Sequence, residues 1–384
     1  MNSTGRFILC LICIILFNNN VASNLSGIKK FDSQKGQKVE SPKIVTKLNR
    51  LYFLDKRKAL IGDIDDFSST PNCSAVLKLW EIENNTERRL IEWRKGESTN
   101  HIAISRDEEN IVVTSYTGIK SKPAPIIGCY SLVQNQWLWK MNINENFSVN
   151  YFCEIFFLEN TNRIILLDDD YIYYVDKKNG QILDKKESCL QDIGSAGEAV
   201  NRFIKVSRNG RYLVIWNQFR GGVLPSWTYP KERDYLLVWD VIENKEVVRI
   251  KKQGGAINDV AFSYDENNLI ISISDKVIRL WSIKENRLIK EIEGWANFIT
   301  SSEKKIVLAD KRNNICVLNY PDLEIEKSFG KFEYYLEPEI CPITITKDGK
   351  YLAFEKEGQI HLYETENWKE IWNVWTCPTD TTRD

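Results

Sequence analysis

The chain has 384 residues, 43% of them hydrophobic, enough apolar material for one large β domain or two ordinary ones. Lys and Arg total 52 against 53 Asp and Glu, a formal net charge of −1, without the basic excess of a nucleic-acid binder. The 12 Trp, 16 Tyr and 16 Phe favour strands over helices.

The chain opens with "MNSTGRFILCLICIILFNNNVASNL": one cation at Arg6, an apolar run from Phe7 to Phe17, then small residues at Val21, Ala22 and Ser23. This is the plan of a secretory signal peptide spanning residues 1–23, and the apolar run is too short to cross a bilayer. A linker is expected over 24–43, a repeat domain over 44–377 and a tail over 378–384, with no membrane span once the signal is cleaved. Cleavage would leave Cys73, Cys129, Cys153, Cys189, Cys316, Cys341 and Cys377, with no CxxC pair to hold zinc. In an oxidising compartment Cys73, Cys129 and Cys189, read as lying in or beside loops, are the disulfide candidates; Cys153 and Cys316 read as small buried hydrophobes. Asn24, Asn72, Asn84 and Asn146 each begin a glycosylation acceptor triplet.

From residue 44 onward one unit recurs. Its first landmark is a strand, a short polar turn and a second strand: "YFLDKRKALIG", "IAISRDEENIVVTS", "IFFLENTNRIILL", "IKVSRNGRYLVIW", "VAFSYDENNLIISI", "ITSSEKKIVLAD" and "ITITKDGKYLAFE". Asp, Asn, Gly and Lys in these turns suit tight hairpins. The alternation in "VAFS" and "LIISIS" predicts strands with one face against a neighbour. A third strand follows, reaching a key position at Trp80, Tyr130, Val175, Trp239, Trp281, Leu318 and Tyr363. A polar turn then introduces a fourth strand, as in "LLVWDVIENKEVVRI" and "IRLWSIKENRLIKEI". Seven four-stranded units, spaced by roughly 40–45 residues, predict an all-β, seven-bladed β-propeller of antiparallel blades, because one blade cannot bury its own two faces.

These residues resemble the WD40-repeat superfamily, and "YYVDKKNGQIL" is similar to the YVTN type of quinoprotein-like repeat. The resemblance makes Trp80, Trp239, Asp240, Asp275 and Trp281 structural blade positions, with Asp275 six residues before Trp281 where the family keeps its aspartate. The family's Gly-His pair is missing, Gln253 standing where blade 5 would carry the His. A diverged propeller held by aromatic packing is the expectation.

Candidate chemistry is sparse. His101 and His361 sit in strand-like runs and read as packed imidazoles. Asp168, Asp169 and Asp170 form the densest acid cluster and are weak metal candidates, read as a turn because their spacing is not that of a calcium loop. Phosphate loops, nucleophile elbows and haem-attachment motifs are absent, and no cofactor is implied. Calling the strands of each unit a, b, c and d, the resemblance puts the b–c and d–a loops on one "top" face. Four long loops map there: "DIDDFSSTPNCSA", "YTGIKSKPAPIIG", "DKKESCLQDIGSAGEAVNR" and "NQFRGGVLPSWTYPKERDY". The last brings Trp227, Tyr229, Lys231 and Arg233 together, the composition of a partner-binding hot spot. The resulting expectation is a secreted, non-enzymatic scaffold for protein partners on the top face. The alternatives are a propeller hydrolase or lactonase with an axial site, or a cofactor-free subunit of an extracytoplasmic redox complex.

Overall fold

A computed structural model describes residues 48–375 apart from the segments 56–57, 64–75, 82–85, 94–96, 118–125, 144–146, 148–151, 191–199, 220–234, 252–254, 310–313, 330–342 and 357–358 and residues 275 and 295. Four consecutive strands form each sheet. Blade 1 is β1 (Leu48–Asp55), β2 (Lys58–Asp63), β3 (Val76–Glu81) and β4 (Thr86–Glu92). Blade 2 is β5 (Glu97–Ile104), β6 (Asn110–Thr117), β7 (Ile126–Ser131) and β8 (Gln136–Asn142). Blade 3 is β9 (Glu154–Leu158), β10 (Arg163–Leu167), β11 (Tyr171–Asp176) and β12 (Ile182–Glu187). Blade 4 is β13 (Val200–Val206), β14 (Tyr212–Phe219), β15 (Tyr235–Asp240) and β16 (Lys245–Lys251). Blade 5 is β17 (Ile257–Phe262), β18 (Asn268–Ile273), β19 (Val277–Ser282) and β20 (Arg287–Glu293). Blade 6 is β21 (Phe298–Ser301), β22 (Lys305–Ala309), β23 (Ile315–Asn319) and β24 (Ile325–Phe329). Blade 7 is β25 (Ile343–Ile345), β26 (Tyr351–Lys356), β27 (Gln359–Glu364) and β28 (Lys369–Trp375).

The protein is a seven-bladed β-propeller. All pairing within blades is antiparallel, so the strands alternate in direction and the a–b and c–d turns share one end of the ring. Blade 7 draws all four strands from the C-terminal part of the chain, and β25 lies beside β1. Among the described residues the ring thus closes by packing of inner strands, with no strand exchanged between the first and last blades.

The b strands explain why the blades must stack. In β10, Ile164 and Leu166 enter the cluster shared with blade 2, while Ile165 and Leu167 enter the one shared with blade 4; all four are 0% exposed. Likewise Leu213 and Ile215 of β14 face blade 3, and Val214 and Trp216 face blade 5. Both faces are buried in the same way in blade 5: "LIISIS" is apolar nearly throughout because β18 lies between two neighbours, Ile270 packing toward blade 6 and Leu269 and Ile271 toward blade 4. Each such side chain contributes about 1.5–3 kcal/mol on leaving water. The outer strands close the sandwich with solvent-facing residues, as in β12 and β20.

Aromatic side chains enter each described cluster between blades, among a majority of aliphatic ones, and ring pairs gather most at two of them. Phe147, Phe152 and Tyr173 meet edge-to-face between blades 2 and 3, and Phe329, Phe354 and Tyr363 gather between blades 6 and 7.

The c–d hairpins carry the repeat's key position. A register shift falls at Tyr130, Val175, Trp239, Trp281, Leu318 and Tyr363, one β-bulge in each of blades 2 to 7. Trp281 is buried toward blade 4, and Trp239 packs toward blade 3 while its indole N–H donates to Asn244 Oδ1 at 3.3 Å. Asp240 is 2% exposed; its Oδ1 accepts the N–H groups of Ile242 (2.9 Å) and Glu243 (3.1 Å), and its Oδ2 accepts Arg211 Nε (2.8 Å). That is a turn cap locked by an ion pair. The backbone of Trp80 lies in β3, and Asp275 lies outside the described residues.

Candidate interaction faces

The two ends of the ring differ in the length of chain between strands. At the b–c and d–a end, β2 and β3 are joined through residues 64–75, β6 and β7 through 118–125, β12 and β13 through 188–199, and β14 and β15 through 220–234. At the other end every connection is a short turn, from Ser105–Glu109 in blade 2 to Thr365–Trp368 in blade 7. Trp227, Tyr229, Lys231 and Arg233 all fall within 220–234, outside the described residues, as do Asn24, Asn72, Asn84 and Asn146.

The Asp168–Asp170 cluster is a b–c turn whose carboxyls diverge. Asp168 is buried at 2% exposure, and its Oδ1 accepts the N–H groups of Asp170 (2.7 Å) and Tyr171 (2.5 Å); burial raises its pKa above the ordinary carboxylate value. Asp169 instead pairs with Arg202 of β13 at 2.5 Å, a tie between blades 3 and 4, and Asp170 is exposed. Among the described residues no three His, Cys, Asp or Glu side chains are grouped to hold a metal.

The imidazoles are apart. His101 of β5 faces Glu154 of β9 at 3.9 Å across the inner wall. His361 of β27 contacts Glu370 Oε1 at 2.6 Å and stacks on Phe354. A second inner-wall pair spans three blades: Lys205 Nζ of β13 lies 2.9 Å from Asp259 Oδ2 of β17, which also accepts the N–H of Ile299 of β21 at 2.6 Å.

The cysteines correct the disulfide reading at one point. Cys129 is in β7, not beside a loop; it is a free thiol, 0% exposed, in the cluster between blades 2 and 3. Burial pushes its pKa up to about 12. Cys189 is buried between blades 3 and 4, and Cys153 and Cys316 are half-buried free thiols. Cys73, Cys341 and Cys377 lie outside the described residues.

The site that sequence reasoning missed is at the a–b end. Four a–b turns share one construction. Ser105, Ser207, Ser263 and Thr346 donate their hydroxyls to Asp107, Asn209, Asp265 and Asp348. Each then places a positive φ three residues after the hydroxyl: Glu108 (61°), Gly210 (74°), Glu266 (60°) and Gly349 (72°). The first turn residue of blades 2 to 7 is Arg106, Glu159, Arg208, Tyr264, Glu303 and Lys347 in order.

Neighbouring turns are laced together at this end. Arg106 N–H donates to Glu159 Oε1 (3.1 Å), Glu159 N–H to the Asn209 carbonyl (2.8 Å), and Asn209 N–H to Glu266 Oε1 (2.6 Å). Burial raises the pKa of Glu159 and of Glu266. Within this collar is a polar cavity of about 340 Å³ lined by residues from blades 2, 3 and 7, Arg106, Asp107, Glu159, Lys177 and Lys347 among them. Each of Arg106, Arg208 and Lys347 stands two residues after its inner strand, a position that aligning the a–b turns exposes but that does not by itself say the three act on one another.

Seven four-stranded blades in a ring, with a capped c–d turn in blade 4 and an aromatic or aliphatic key residue facing the preceding blade, define the seven-bladed β-propeller fold. Among solved structures the chain is similar to a chain in a crystal structure of a mitotic checkpoint complex, at a TM-score of 0.55 and 13% identity, covering 88% of this chain and 96% of that one. No protein-family model matches the chain, and no curated protein sequence does either. At this identity the likeness carries the fold alone.

Proposed function

We propose that the protein is a secreted, non-enzymatic propeller that holds protein partners at the b–c and d–a end of its ring. One observation carries the reading: every long connection leaves the blades at that end, while the opposite end is built of short, mutually hydrogen-bonded turns. A rigid ring that concentrates variable chain on one face has the build of a recognition scaffold. The similar chain belongs to a structure described as a complex, which agrees with a role in assembly. Within this reading Trp227, Tyr229, Lys231 and Arg233 anchor a partner through aromatic area and cationic hydrogen bonding.

Affinity capture of the secreted chain from its native source, with the complex sized by light scattering, tests this. A stoichiometric partner is expected, lost when 220–234 is replaced by a short Gly-containing turn or by the pair Trp227→Ala and Arg233→Glu. A chain that remains a lone monomer, or a partner that binds the shortened protein equally well, would overturn the assignment. N-terminal sequencing of the secreted product is expected to begin at Asn24.

A further inference from the structure

Three cations at the a–b end lack a carboxylate within ion-pair distance, although Glu266 and Glu303 act on Arg208 and Glu108 and Glu303 act on Lys347 from farther away. Arg202, Arg211, Arg249, Arg279 and Arg287 each have a carboxylate within 4.0 Å. Arg106, Arg208 and Lys347 have none among the described residues, although they come from three different blades and feel one another's charge. Burial, then the charge of Arg106, lowers the pKa of Arg208; burial, then Arg208 and Arg106, lowers that of Lys347. Like charges that act on one another, Arg106 and Lys347 exposed and Arg208 half-buried, repel unless an anion joins them.

Three of the nearby acids are already engaged. Glu159 and Glu266 accept the backbone N–H groups of Arg106 and Asn209, and Asp107 accepts from Ser105, from the Glu109 N–H at 3.0 Å and from Lys177 at 3.4 Å. Arg208 is steadied by the Tyr264 ring, 4.4 Å from its guanidinium carbon. The cavity beside these groups also presents Ser105, Asn160 and Thr161, and its roughly 340 Å³ is in the range of small-molecule sites.

We propose that this end of the ring is a binding site for a small phosphate-bearing anion, with Arg106, Arg208 and Lys347 as its cations. The geometry favours phosphate over carboxylate. Donors arriving from different blades suit a tetrahedral dianion whose oxygens point several ways, whereas a planar carboxylate satisfies a single guanidinium fork. This site lies at the opposite end from the proposed partner face, so either assignment can fail without the other.

The test is calorimetric titration of the mature chain with pyrophosphate at low ionic strength, with citrate as the carboxylate comparison. One saturable site is expected, weakened about tenfold or more by Arg106→Gln or Lys347→Gln, each of which removes a charged hydrogen bond. Arg208→Lys should retain part of the affinity, and Lys245→Gln, the same charge change at the outer rim, should leave it unaltered. In the absence of anion, Arg106→Gln and Lys347→Gln should melt no lower than the native chain, because each relieves repulsion. No saturable binding, an equal loss in Lys245→Gln, or citrate binding as tightly as pyrophosphate would overturn the proposal.

Discussion

Gly210 offers a sharp test of how the blades lock together. Its φ is +74°, and a Cβ built on it would lie 2.1 Å from the carbonyl oxygen of Phe157 in blade 3. Gly349 is a matched control in blade 7: its φ is +72°, but the nearest atom to its Cβ is the Ser302 hydroxyl at 2.8 Å, a side-chain end that can rotate away. Alanine at either position meets the left-handed penalty of about 1–2 kcal/mol. Only at Gly210 must a backbone retreat. The Glu159 N–H bond to the Asn209 carbonyl spans the same contact, and opening it by about 1 Å loses about 1 kcal/mol. Gly210→Ala is therefore expected to cost about 2–3 kcal/mol and Gly349→Ala about 1–2. Urea unfolding followed by tryptophan fluorescence, with calorimetry on the same samples, reads the difference between the two variants. A Gly210→Ala protein no less stable than Gly349→Ala would refute the claim that blades 3 and 4 meet through rigid backbone.

Asp240→Ala removes the acceptor for two turn N–H groups and for Arg211, and should cost about 2–3 kcal/mol in urea unfolding, with Asp240→Asn losing less. Lys205→Met leaves the Asp259 carboxylate with the Ile299 N–H, so a loss of about 1–2 kcal/mol is expected, discounted for the partial exposure of Lys205. The buried Cys129 thiol gives the protein an alkaline limb. Its folded pKa, about 12, lies above its unfolded value of about 8.5, so this stability is complete below about pH 8.5 and is lost as pH rises toward 12. Cys129→Ala should flatten that limb, and peptide mapping after native alkylation at pH 8 should find Cys129 unmodified.

Much of the architecture was legible in the residues because a blade is a local object. Each of its hairpins joins strands adjacent in the chain, so turn residues and strand-like runs mark all four strands without long-range information. The position shared by Tyr130, Trp239 and Tyr363 was visible for the same reason, and it proved to be the bulge in the c–d pairing. Cys129 was misplaced because "GCYSL" contains a Gly and a Ser that read as loop, whereas burial against blade 3 holds the segment in β7. Counting rings did not say which interface each would enter, because that depends on which face of the strand carries it.

The collar of Arg106, Arg208 and Lys347 is the clearest case of what sequence order conceals. These residues are far apart in the chain, each in an unremarkable polar turn, and only closure of the ring brings their charges within reach of one another. What the sequence by itself determined is the repeat: seven copies of a four-stranded unit, since hydrogen bonding and turn chemistry act between near neighbours. Which face of each strand meets which blade, how the ring closes, and that Arg106, Arg208 and Lys347 act on one another were decided by tertiary structure, because packing and electrostatics act through space and are indifferent to separation along the chain.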